Sequence, residues 1–142
     1  MRITKTFNHT SIHFMLKDGT YYVEAKNISH VLNYAHGVSC AIVASIDLQD
    51  LTYVKINKRN YLYVNVSALI DRLRRIKKGN MRYSVANELI DWLESTCFNS
   101  AAVHKDIIKH NLELAIIDID NVNKLEIHLA TALNHFESLA TI

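Results

Sequence analysis

The sequence predicts an α+β domain of two β-hairpins packed with short helices, followed by a C-terminal helical segment. Three observations carry this reading. Asp18-Gly19 supplies the positive φ angles of a two-residue hairpin turn, between strand-forming runs at 11–17 and 20–24. Residues 51–56 and 61–66 alternate with a period of two, the pattern of half-buried strands. From residue 67 to the end, apolar side chains recur every three or four positions, which is helical spacing.

The elements follow in order. After the first hairpin, Ala25, Ile28, Val31 and Leu32 share one face of a helix over 25–33. Lys26 or Asn27 sits near its start, and Asn33-Tyr34 ends it. Gly37 then breaks the chain before a second helical run over 38–45, and 47–50 is a polar loop. The second hairpin is expected to join its strands through Asn57, Lys58, Arg59 and Asn60. By alternation, Thr52, Val54 and Ile56 are expected to face the core with Leu62, Val64 and Val66. Leu51, Tyr53, Lys55, Tyr61, Tyr63 and Asn65 form the opposite, aromatic face.

Asn65 or Ser67 can cap the next helix, because a side-chain oxygen there accepts from the free N–H groups of the first turn. Its buried stripe is Leu69, Ile70, Leu73 and Ile76, and Gly79-Asn80 is expected to stop it near 78 with a left-handed cap. A helix over 83–97 repeats Val85, Leu89, Trp92 and Leu93, and one over 103–117 carries Ile107, Ile108, Leu112, Leu114 and Ala115. Asp120 or Asn121 can cap the last. There Val122, Leu125, Leu129, Ala132, Phe136 and Leu139 follow the alternating three-and-four spacing of a heptad seam. The seam can pack on its own subunit or on a second copy. Its place beyond a complete domain favours the second copy, as a homodimer.

At 142 residues, with 49% apolar and 21% charged side chains, the chain suits one core, or one domain with an appendage. The division expected is a domain over 1–98 and a helical segment over 99–142. No apolar run approaches ~18 residues, and MRITKTFNH lacks a signal peptide's apolar centre, so an intracellular protein with no membrane association is expected. Cys40 and Cys97 are too few for a disulfide scaffold.

Charge is strongly partitioned. Residues 55–82 carry nine basic side chains against Asp71 alone, while 83–142 carry three basic and nine acidic. The basic block comprises Lys55, Lys58, Arg59, Arg72, Arg74, Arg75, Lys77, Lys78 and Arg82. Asymmetry of this kind points to a polyanionic partner. Lysine and arginine at a hairpin tip and along a helix can meet phosphates, which gives affinity without sequence reading. Tyr61 and Tyr63, with Tyr53, can add phosphate hydrogen bonds or stack on an unpaired base. The plainer alternative is a solvated charged face with tyrosines packed under a loop.

Catalysis and metal binding find little support. Glycine occurs only at 19, 37 and 79, so no phosphate-cradling loop exists, and neither Gly-x-Ser-x-Gly nor His-Glu-x-x-His occurs. His30, His36 and Cys40 lack the second close ligand pair of a structural zinc site, and His104 and His110 do not share a helix face. No enzyme activity, metal or cofactor is expected. Glu88, Asp91 and Glu94 read as a solvated stripe.

One stretch has a familiar shape. Tyr22, Val23, Ala25, Lys26, Asn27, Ile28, Leu32, Asn33 and Tyr34 resemble the opening of the BRO family N-terminal domain, found in baculovirus proteins and phage antirepressors. There a strand ending in aromatic-Val-Ala-Lys-Asp-Val leads into a helix closing on Leu-Gly-Tyr. Glu24 is an extra residue here, and Asn33 replaces the Gly. Asn65, Ser67, Leu69, Arg72, Arg74 and Arg75 are similar to the family's Asn-x-Ser-x-Leu and basic helix. Glu88-Leu89-Ile90-Asp91 is similar to its Glu-Val-Leu-Pro, without the Pro, and Trp92 follows where the family's Trp precedes. The resemblance covers about 12–98. It implies a regulatory protein of phage type that binds double-stranded DNA, or an antirepressor that captures a repressor protein without touching DNA.

Overall fold

The structure is a computed structural model that describes residues 2–34, 42–118 and 121–140. It is an α+β architecture: a five-stranded antiparallel sheet with short helices, then C-terminal helices. The strands are β1 (Arg2–Phe7), β2 (Thr10–Lys17), β3 (Thr20–Glu24), β4 (Leu51–Ile56) and β5 (Arg59–Asn65), in the spatial order β1-β2-β3-β5-β4. The helices are α1 (Ala25–Val31), α2 (Val66–Arg74), α3 (Tyr83–Cys97), α4 (Ser100–Ile117) and α5 (Val122–Ala140), with a 3-10 turn at Leu48–Asp50. The chain divides into two compact units, Met1–Leu93 and Glu94–Ile142.

Three two-residue turns build the sheet, each with both central residues at positive φ: Asn8-His9, Asp18-Gly19 and Asn57-Lys58. That geometry matches the twist of the strands it joins. Asp18-Gly19 is legible in the sequence because glycine takes φ +76 freely. Asn8-His9 is not, so β1 goes unanticipated, although Ile3 and Phe7 lie at the right spacing for one face.

The strand pairing across the two-residue turn at Asn57-Lys58 overturns the expected facing of the second hairpin. Ile56 pairs with Arg59, Val54 with Tyr61, and Thr52 with Tyr63. Only a turn of odd length would pair even positions with even; a turn of two residues, like one of four, pairs even with odd. Directly paired residues point to the same side of a sheet, so the expected grouping of Thr52, Val54 and Ile56 with Leu62 and Val64 does not hold. Tyr61 and Tyr63 therefore share a face with Thr52, Val54 and Ile56. Leu62 and Val64 share the other with Leu51, Tyr53 and Lys55.

One sheet face packs an apolar core. Ile12, Phe14, Val23 and Val64 are fully buried, as are Ile28 of α1, Leu69 of α2 and Leu89 of α3. Trp92 seats its ring 5.2 Å from Phe7 and 5.7 Å from Phe14, centre to centre. Phe14 in turn meets Tyr21 edge-on at 6.2 Å. Such tilted contacts suit the aromatic quadrupole and add to the area each ring buries.

The helix ends are specific. Asn33, at φ +58, follows α1 in the left-handed conformation, and Tyr34 N–H donates back to Ser29 O at 3.0 Å. This is the closure glycine usually provides, here with asparagine. Asn65 caps α2 by accepting from Ala68 N–H at 3.2 Å, Asn99 caps α4, and Asn121 accepts from Lys124 N–H at the start of α5. The basic helix stops at Arg74, short of the expected 78. Arg75 and Ile76 donate to carbonyls three residues back, tightening the last turn, and Ile76 is buried. Gly79 has no left-handed φ, so the expected cap there does not form. Residues 38–41 of the expected helical run over 38–45, with Gly37, His36 and Cys40, lie outside the described residues; of the rest, Ile42 and Val43 are helical and Ala44 and Ser45 form a turn. Asp120 also lies outside them.

Candidate nucleic-acid interface and helical hairpin

The β4–β5 hairpin tip carries the first basic group. Lys55, Lys58 and Arg59 are all exposed there. Lys58 holds φ +67 in the turn, a conformation that costs an L-residue with a Cβ roughly 1–2 kcal/mol. The position favours glycine by geometry, yet carries a cation at the apex.

The second basic group follows α2. Arg74, Arg75, Lys77 and Lys78 are exposed, and Arg72 is half-buried. Arg75 lines a surface depression with Asp47, Asp50 and Asp71, so acids surround one of the expected phosphate contacts. Asp47 and Asp50 precede Leu51, at the end of β4 away from the tip. The two basic groups are therefore separated by about the length of a six-residue strand, ~20 Å. The sequence gathered them into one block; the fold draws them apart.

Arg82 is committed elsewhere. Its Nε donates to Leu32 O at 3.0 Å, its guanidinium reaches Asn33 O at 3.5 Å, and it lies over the Tyr34 ring. A cation there meets the free carbonyls and negative end of α1. Tyr63 is 1% exposed, which withdraws it as a surface contact, and Tyr61 is half-buried. Tyr53 alone of the three stays open, at 72% exposure.

In the second unit, α4 and α5 pack antiparallel. His104 of α4 lies against His135 of α5 with ring centres 4.8 Å apart, and His128 contacts Asp118 at 3.1 Å. The expected seam is only partly the packed face. Ala132 is buried, and Leu125 and Leu139 are half-buried, but Leu129 and Phe136 are exposed. The side chain of Val122 lies outside the described set. His128 and His135, one position before each of the exposed pair, are half-buried instead. The heptad spacing is present; its packed phase is turned by about one residue. An apolar face is left open, with Leu112 and Ile116 on α4 and Leu133 and Phe136 on α5. Its groove of about 440 Å3 is rimmed by Lys105, Lys109 and Glu113.

Among the described residues no three metal-ligating side chains come together, and no helix is long and apolar enough to cross a membrane. The molecule so defined is a five-stranded α+β domain with a basic hairpin tip and a separate helical hairpin. Comparison of the chain with protein families, curated proteins and solved structures finds no match.

Proposed function

We propose that the chain is a DNA-binding regulatory protein of phage or prophage type, acting as a homodimer. The observation that carries this is the cation apex of the β4–β5 hairpin: Lys58 in a turn built for glycine, with Lys55 and Arg59 exposed beside it. The resemblance of 12–98 to the BRO family supports the same reading. Lys77 and Lys78, a strand length away, supply a second set of backbone contacts on a scale that one duplex spans. Contacts of this kind position a protein on DNA and give affinity before specificity.

The open face of the α4–α5 hairpin supports self-association. An apolar face of this kind on a helix pair is an interaction surface by the ordinary rule for soluble proteins. Two-fold pairing makes a patch meet itself. Lys109 and Glu113, one helical turn apart on the groove rim, then find opposite charges when two copies meet antiparallel.

Fluorescence anisotropy of a generic labelled duplex against salt tests the DNA reading. Affinity should fall steeply with rising salt, at a log–log slope of roughly −0.9 per phosphate neutralised. Lys58→Ala with Arg59→Ala should flatten that slope while the fold persists. Flat anisotropy at low salt removes the reading. Sedimentation of wild type against Leu133→Glu tests the dimer, which the variant should abolish.

Tyr53 favours a second reading. It stands 72% exposed on the edge strand β4, and exposed aromatic side chains are common anchors at protein interfaces. An antirepressor would use it to hold a repressor protein. Loss of repressor capture on Tyr53→Ala, with DNA binding absent throughout, selects this alternative.

A further inference from the structure

The face of the sheet turned away from the apolar core holds a cavity that neither reading uses. Arg2 on β1 and Val54 and Ile56 on β4 all line it, together with Met15 and Tyr63. β1 and β4 are the two outer strands of the sheet. In a flat sheet four strand spacings would hold them ~19 Å apart. One cavity touching both edges means that the sheet curls around it.

The lining is chemically uneven. Met15, Val54 and Ile56 make an aliphatic wall, and Arg2 reaches solvent at the edge. Tyr63 is 1% exposed, and its hydroxyl meets no hydrogen-bond partner among the described residues. Arg2 lies close enough to act on that phenol without bonding to it in good geometry. An unpaired buried hydroxyl is costly, and native proteins rarely leave one without a reason. Glu24 sits opposite Tyr63 on the next strand and is buried, but it does not line the cavity.

We infer that the curled sheet binds a small carboxylate with an apolar body, its carboxylate held by Arg2 and Tyr63 Oη and its body against Met15, Val54 and Ile56. A guanidinium pairs with a carboxylate through two parallel N–H donors, and the phenol supplies a third bond to the same group. A neutral apolar guest would leave the hydroxyl unpaired, and a cation would meet Arg2. The volume, about 220 Å3, is room for about seven waters at liquid density, the scale of a short branched or aromatic acid.

The test is titration of the full chain with isocaproate, followed by the methyl NMR signals of Met15, Val54 and Ile56, against isocaproamide as the uncharged isostere. The acid should shift those signals saturably and bind roughly tenfold or more tighter than the amide. Arg2→Gln, on an exposed strand end, should erase that preference, and Tyr63→Phe should weaken the acid with Arg2 intact. Unmoved signals at tens of millimolar acid overturn the inference. So does equal binding of acid and amide, or full binding by Arg2→Gln. The outcome is independent of DNA binding, which isocaproate does not probe.

Discussion

Arg82 donates from Nε to the carbonyl oxygen of Leu32 at 3.0 Å, joining two positions fifty residues apart in sequence. The bond lands just where α1 leaves its last carbonyls without partners, and the guanidinium also stacks on Tyr34, 3.9 Å from the ring centre. A side chain that charge alone would assign to DNA is a clamp on the fold.

That clamp has a measurable worth. Arg82→Ala should lower unfolding stability by about 1–3 kcal/mol, the range for a hydrogen bond from a charged donor. DNA affinity of the folded fraction should not change. Arg82→Lys should recover only part of the loss, because an ammonium lacks the planar fork that reaches two carbonyls and stacks. Chemical denaturation beside anisotropy separates the two effects.

Lys58→Gly should act in opposite directions on stability and binding. Removing the Cβ from φ +67 relieves strain, offset in part by glycine's freedom in the unfolded chain, for a net gain of about 0.5–1 kcal/mol. The same change removes the apex cation and should weaken duplex binding. A variant that is more stable and binds DNA as well as wild type would take Lys58 out of the interface.

The helical hairpin should lose stability in mild acid. Burial, then the neighbouring His104, hold His135 below its ordinary value of 6.5, and burial pushes His110 the same way. The unfolded chain thus binds more protons than the folded one below pH 6.5. Stability should be full above 6.5 and fall as pH drops through the lower folded values. Thermal melts at pH 7.5 and below 6 check this, and His135→Gln should make the dependence shallower.

Tyr63→Phe should leave the ligand-free protein as stable as wild type, or raise stability by about 1 kcal/mol, because it deletes a buried hydroxyl with no described partner. Burial also holds that phenol above its ordinary value, with Arg2 opposing and Glu24 reinforcing the shift. Tyr63 should therefore ionise at higher pH than an exposed tyrosine in a spectrophotometric titration. A marked destabilisation of the phenylalanine variant would mean that the hydroxyl is bonded in solution.

Local chemistry was readable from the residues. Asp18-Gly19 announces its turn because few other residues accept those angles, and Asn65 or Ser67 announces a cap, a place Asn65 takes in the structure by accepting from Ala68 N–H. The apolar stripes of α2 and α3 follow from helical spacing, and Leu69 and Leu89 are buried as that spacing requires. Asn8-His9 and Asn57-Lys58 carry no comparable signal, because asparagine followed by histidine or lysine also suits many loops.

What only the tertiary structure decided is where faces and charges end up. The facing of β4 against β5 turns on whether an odd or an even number of residues makes the turn, a choice the alternation itself does not encode, since either preserves a period of two. The phase of α5 against α4 depends on which neighbours fill the space between them, so His128 and His135 take places that hydrophobicity would give to Leu129 and Phe136. The basic block is continuous in sequence but split in space, because one strand and one helix carry its parts to different ends of the sheet. Curling of that sheet brings Arg2 and Ile56 to one cavity, a meeting of opposite edges that arises from strand twist summed over five strands and is written in no single segment.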